Sequence, residues 1–198
     1  RARSLGRLDD ARLDAGLGRL ITAADRLGTL VDELLDITRL TADDAPIDAR
    51  PVDLVSLAQE AIDRYAEVER PGRVRLDAPD GVTVAGDASR LDQVITNLVD
   101  NALKFSDPSS EVIVAVRRAG DGAEVEVSDR GRGLGPGAAP LFEAFGRGEN
   151  VDDVPGLGLG LHISRQIVER HRGTIRAEAR EDGPGARFTV TLPHAVEA

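Results

Sequence analysis

An α+β fold, a two-layer α/β sandwich preceded by a long bundle or coiled-coil helix, is what this 198-residue sequence predicts. Two observations carry that expectation. Leu13, Leu17, Leu20, Ala24, Leu27, Val31 and Leu34 recur in alternating steps of four and three, which is a heptad seam. Beyond a proline-interrupted stretch, helical periodicity then trades places with short runs of apolar–polar alternation, the pattern of helices laid on a half-covered sheet.

The seam widens at Ile21, Leu30, Leu35 and Leu40, which suits a helix buried in a four-helix bundle. Gly16 and Gly18 weaken its first turns, so its firm part starts at Arg19. Residues 41–51 (TADDAPIDARP) are polar and twice broken by proline; they read as a hinge, with a domain boundary near Ala45. Next come a helix over residues 53–67, strands over 74–77 and 82–85, and a long helix over 88–105. Strands over 112–118 and 123–129 flank the short Gly120-Asp121-Gly122 turn and predict a hairpin. A glycine-rich stretch leads to a helix over 159–170 and to final strands over 174–178 and 187–192, several of these strands being antiparallel.

Composition narrows the functions open to this chain. Hydrophobic residues make up 41% and charged residues 30%, and no apolar run reaches the roughly 18 residues of a membrane span. Cysteine is absent, which removes disulfides, thiolate metal sites and cysteine nucleophiles, and fits a cytoplasmic protein. The net charge of -10 argues against nucleic acid as a partner, so an anionic ligand needs a locally built site. Of 25 basic residues only Lys104 is a lysine, a compact ammonium in a chain that otherwise uses arginine.

Three segments converge on a phosphate-bearing ligand. Asn97 and Asn101 stand four apart on one helical face, and Lys104 follows on the same side. Two carboxamide oxygens and an ammonium suit Mg²⁺ and a phosphate chain, since Mg²⁺ prefers oxygen ligands. At the end of the second hairpin strand Asp129 precedes Gly131 and Gly133, where glycine lets the backbone turn sharply and a flat ring approach. The third segment, Gly156-Leu157-Gly158-Leu159-Gly160, opens a helix and offers backbone amides to phosphate oxygens. It lacks the lysine and hydroxyl of a P-loop and the third glycine of a dinucleotide fingerprint.

In this order the segments resemble the ATP-binding domain of bacterial sensor histidine kinases, within the superfamily that includes DNA gyrase, MutL and a class of chaperones. Residues 97–105 resemble the N box, 129–133 the first glycine box, Leu141-Phe142-Glu143-Ala144-Phe145-Gly146-Arg147 the F box, and 156–160 the second glycine box. Gly183-Pro184-Gly185-Ala186 resembles the last glycine motif, with alanine where threonine is frequent. Residues 27–40 resemble the second dimerisation helix. The resemblance implies a Bergerat ATP-binding fold over residues 45–198, and over residues 1–44 part of a dimerisation and histidine-phosphotransfer region.

The same resemblance implies ATP and Mg²⁺ as cofactors. Asn101 would hold the metal, with Asn97 beside it, and Lys104 would touch phosphate. Phe105, Gly131, Gly133, Gly156, Leu157, Gly158, Leu159 and Gly160 would frame the pocket, Asp129 would accept from the adenine amine, and Arg147 would contact the γ-phosphate. Residues 132–155, rich in glycine and proline, would form a lid with little order of its own. In the hydrolytic relatives a glutamate four residues before the metal-binding asparagine acts as general base. That place is Asn97 here, and a carboxamide takes no proton, which favours transfer to a nucleophile from elsewhere.

The chain's three histidines, His162, His171 and His194, lack the bundle-helix setting of a phosphoacceptor and read as structural or solvated. The implied acceptor is therefore a histidine on a helix upstream of Arg1. Expected partners are a second copy through the bundle helix, that acceptor helix and a response regulator; a parent anchored in the inner membrane is compatible with the sequence. Two alternatives share the nucleotide motifs: a serine kinase of the anti-sigma-factor type, and a nucleotide-binding dimerisation module without catalysis.

Overall fold

The computed structural model describes residues 16–18, 28, 47–66, 69, 72–79, 81–134, 139–146 and 158–193. The predicted bundle helix lies outside the described residues except at 16–18 and Gly28, which are helical. The described chain runs β1 (Arg50–Asp53), α1 (Leu54–Asp63), β2 (Val74–Asp77), β3 (Thr83–Gly86), α2 (Ala88–Phe105), β4 (Val112–Ala119), β5 (Gly122–Ser128), a 3₁₀ turn (Ala139–Phe142), α3 (Gly160–Arg170), β6 (Thr174–Ala179) and β7 (Ala186–Pro193).

Five strands form the main sheet in the order β2-β4-β5-β7-β6. Alternation along β4, β5 and β7 sends Val112, Val114, Val116, Val125, Val127, Phe188, Val190 and Leu192 to one buried face. Register aligns them: Val127 lies opposite Val114 and Phe188, and Val125 opposite Val116 and Val190. Leu91, Val94, Leu98 and Val99 of α2, Ile163 and Ile167 of α3, and Leu54 and Ala58 of α1 complete this core. The result is a helical layer on the main sheet, as the sequence predicts.

Three details depart from the sequence reading or add to it. Residues 50 and 51 belong to β1 and not to a hinge; Pro51 is tolerated because β1 pairs only with β3, in a separate two-stranded sheet. Strand β2 pairs parallel with β4, the intervening β3 and α2 providing the crossover. Within the expected lid, residues 139–142 form a 3₁₀ turn whose Phe142 is buried.

Both helices that begin after a strand start on an aspartate. Asp53 accepts from the amides of Val55 and Ser56, and Asp87 from those of Ser89 and Arg90, filling orphan donors of the first turn. Burial alone would raise the Asp87 carboxyl, but the Ser89 hydroxyl and these amides outweigh it and bring it below the ordinary value.

Candidate functional site

Helices α2 and α3 are fastened to each other by polar contacts at two levels. At the start of α2 the Asp87 amide donates to His171 Nε2 at 3.0 Å, and His171 Nδ1 lies 2.8 Å from the Ile167 carbonyl. Those partners require the tautomer with its proton on Nδ1. The ring fills the space a side chain at Gly86 would need: a Cβ there would stand 3.0 Å from His171 Cδ2 and 2.7 Å from Leu91 Cδ1. Further along, Asn97 Nδ2 donates to the Gly160 carbonyl at 3.3 Å and to Ser164 Oγ at 3.4 Å. These two levels bring the asparagine face of α2 against the glycine-rich entry of α3.

No side-chain cap closes the entry itself among the described residues. Leu159, at the cap position of α3, is fully buried and gives no side-chain bond to the first-turn amides. Gly158 has φ +74 and its missing Cβ would lie 2.5 Å from the Gly146 carbonyl, so the end of the F-box segment closes directly on the glycine turn. His162 reinforces that closure, its Nδ1 lying 3.1 Å from the Phe142 carbonyl. The residue preceding Gly146, Phe145, is 63% exposed.

Asp129 sits where β5 ends, 3% exposed. Its Oδ1 accepts from the amides of Gly131 at 2.7 Å and Ala186 at 3.4 Å, and Oδ2 has no hydrogen bond to the described residues. Burial raises this carboxyl above the ordinary value; the two amides and the charge of Arg180 offset part of that. Two glycines make the turn possible. A Cβ at Gly131 would fall 2.2 Å from the Phe105 carbonyl, and one at Gly185 2.1 Å from the Asp129 carbonyl. An isolated bridge between Ser106 and Gly131, with the Arg132 amide donating to the Phe105 carbonyl, ties the end of α2 to this turn.

Asn97, Asn101, Phe105, Asp129, Gly131, Gly133, Gly158, Leu159 and Gly160 thus belong to three segments joined by direct contacts. Asn101 is half-buried and its carboxamide bonds to none of the described residues. Lys104 is exposed, with Nζ 5.5 Å from the centre of the Phe105 ring. Arg147, Gly156, Leu157 and His194 lie outside the described residues. Sequence reasoning did not pick out Ser164, Arg180 or the Ala186 amide. Of these only Ser164 carried a signal, a hydroxyl one turn beyond Gly160 on the apolar face of a helix. Among the described residues no three His, Cys, Asp or Glu gather as a metal cluster.

The chain resembles known proteins over most of its length. Over 189 residues the chain is 36% identical to the sensor-like histidine kinase SenX3 of Mycobacterium tuberculosis, covering 91% of this chain and 45% of that protein. The signal transduction histidine-protein kinase/phosphatase MprB of Mycolicibacterium vanbaalenii is 37% identical over 182 residues, 88% of this chain and 36% of its own. The chain therefore spans less than half the length of these curated relatives. Among solved structures, full-length ShkA in complex with AMPPNP superposes with a TM-score of 0.77 at 27% identity, over 93% of this chain and 39% of that one. Residues 86–196 match the model of one family, and by that match the chain belongs to the histidine kinase-, DNA gyrase B- and HSP90-like ATPases.

Proposed function

We propose that this chain is the nucleotide-binding catalytic core of a sensor histidine kinase, which takes Mg·ATP and passes the γ-phosphoryl group to a histidine on a dimerisation helix. The observation that carries the reading is Asp129: a buried carboxylate with one oxygen committed to amides, the other without a partner among the described residues, and glycines on both sides. A free acceptor of that kind fits the exocyclic amine of adenine. Nine-tenths of the chain aligning with SenX3 supports it.

The residues present fit the metal as well. Asn101 offers a carboxamide oxygen that no described residue occupies, and Asn97 spends its amide nitrogen on α3, which leaves its oxygen as an acceptor. When bound, Mg²⁺ would neutralise phosphate charge. Lys104 would meet the phosphate chain, the first-turn amides of α3 would cradle it, and Arg147 would reach the γ-phosphate. In the transfer, the bond from the β–γ bridging oxygen to phosphorus breaks, a nitrogen–phosphorus bond forms on the acceptor imidazole, and ADP leaves.

A homodimer through residues 1–44, an acceptor helix and a response regulator complete the proposed setting. His171 is engaged at both ring nitrogens and His162 at one, which fits an acceptor supplied by another helix. No helix among the described residues is long and apolar enough to cross a membrane. The test is direct: by calorimetry the chain binds Mg·ATP, and with γ-labelled ATP it remains unlabelled until a bundle carrying an acceptor histidine is added. Acid-labile label on the chain alone, or no nucleotide binding, would overturn the reading.

A further inference from the structure

Asn97 Nδ2 has two acceptors on α3, the Gly160 carbonyl and Ser164 Oγ, one for each of its hydrogens. A carboxamide is planar, so fixing both N–H directions also fixes Oδ1, which then faces away from them and can only accept. The reversed amide would set oxygen against the Gly160 carbonyl, two acceptors in opposition. Ser164 is fully buried, and at 3.3 and 3.4 Å both bonds are long, so neither alone holds the group firmly. We propose that Ser164 is a positioning residue: together with the Gly160 carbonyl it locks the Asn97 carboxamide with its oxygen presented to the metal–phosphate unit.

This inference rests on the Mg·ATP reading of the site, and it has a consequence that metal ligation alone does not. An aspartate at position 97 would be the stronger magnesium ligand by charge. It has no N–H, however, and its carboxylate would face the Gly160 carbonyl across the joint between α2 and α3. Metal ligation alone predicts tighter Mg·ATP binding for Asn97→Asp; the joint predicts weaker binding.

The experiment uses the full 198-residue chain. The side-chain amide signals of Asn97 are recorded by NMR without metal or nucleotide, and ATP affinity is measured with and without Mg²⁺ for the parent, Ser164→Ala, Ser164→Thr and Asn97→Asp. Loss of one weak bond should shift the Asn97 amide signals in Ser164→Ala and lower Mg·ATP affinity about 3- to 10-fold, with a smaller change in metal-free ATP affinity. Ser164→Thr, which keeps the hydroxyl, should restore both, and Asn97→Asp should bind Mg·ATP less tightly than the parent. Unchanged Asn97 signals in Ser164→Ala, an equal loss with and without metal, or tighter binding by Asn97→Asp would each overturn the proposal. A parent chain that does not bind Mg·ATP overturns the functional reading instead, while the amide signals still decide whether the joint exists.

Discussion

Asp129 does its work through an imbalance: two amides on one oxygen, none of the described residues on the other, and almost no solvent. Its folded-state pKa lies above the ordinary value, so the ionised carboxylate costs the fold stability at neutral pH, a cost relieved as pH falls through the raised pKa. The charge that burdens the fold is the one an adenine amine would use. Replacing Asp129 by asparagine should weaken ATP binding about 10- to 150-fold, the range of one charge-assisted hydrogen bond, and narrow the preference for ATP over GTP. Calorimetry with both nucleotides measures this; unchanged discrimination in a folded variant would mean the aspartate only shapes the turn. Protonation should act similarly, reducing ATP affinity at a higher pH than an ordinary aspartate would. Comparison with Asp129→Asn cancels the titration of the phosphates. Asn101→Ala should remove the Mg²⁺ dependence of binding, and a metal titration that leaves it intact would exclude Asn101 as the ligand.

Helices α2 and α3 show which parts of an element a sequence reveals. Their apolar periodicity, the aspartate opening α2 and the glycines opening α3 are local, and both helices fall within one residue of the expected bounds. What joins them is not local. His171 meets Asp87 across 84 positions and Asn97 meets Ser164 across 67, and nothing in the spacing of either pair announces contact. For the same reason residues 50 and 51 read as hinge: the partner strand β3 lies some thirty residues on, and Pro51 argues against a strand anywhere but an edge. His171→Ala would strand the Asp87 amide and leave a cavity, while the Ile167 carbonyl keeps the His171 backbone amide, at a cost of about 1–3 kcal/mol for the unsatisfied group. Urea unfolding measures that loss, and His171→Gln, able to bond at one of the two positions, should recover part of it. Gly131→Ala makes a different prediction. Its methyl collides with the Phe105 carbonyl, so the Ser106–Gly131 bridge must open and ATP binding fall, with secondary structure by circular dichroism retained.

Across the whole molecule, acidic groups set the response to pH. The carboxyls of Asp53 and Asp87 lie below their ordinary value, because hydrogen bonds from Ser56 and Ser89 and from first-turn amides prevail over burial. Asp107 is lowered chiefly by the Ser109 hydroxyl. Groups of this sign stabilise the fold above their unfolded pKa, and that stability is lost as pH falls through the folded value. Stability should therefore decline below roughly pH 4, near the unfolded carboxylate pKa. Asp87→Ala should flatten the decline while lowering neutral-pH stability by about 1 kcal/mol, the usual worth of an N-cap. Thermal melts across pH 3 to 7 provide the check. The core responds to volume instead: Leu98→Ala, at a fully buried position facing the sheet, should cost about 2–5 kcal/mol at any pH.

Strand order carries one more consequence. β5, which delivers Asp129, lies between β4, its hairpin neighbour, and β7, which begins more than fifty residues after β5 ends. Gly185 and Ala186 close on Asp129 from that late strand, one by leaving room and the other by donating its amide. A chain emerging from the ribosome thus carries the asparagine helix, both hairpin strands and the first glycine turn long before it has the strand that closes on Asp129. Nascent chains arrested with residue 180 at the tunnel exit should not retain an immobilised ATP analogue, and chains released past residue 193 should. Competence to hold nucleotide would then arrive only once β7 has emerged, and a chain lacking that strand could not draw on the cell's ATP.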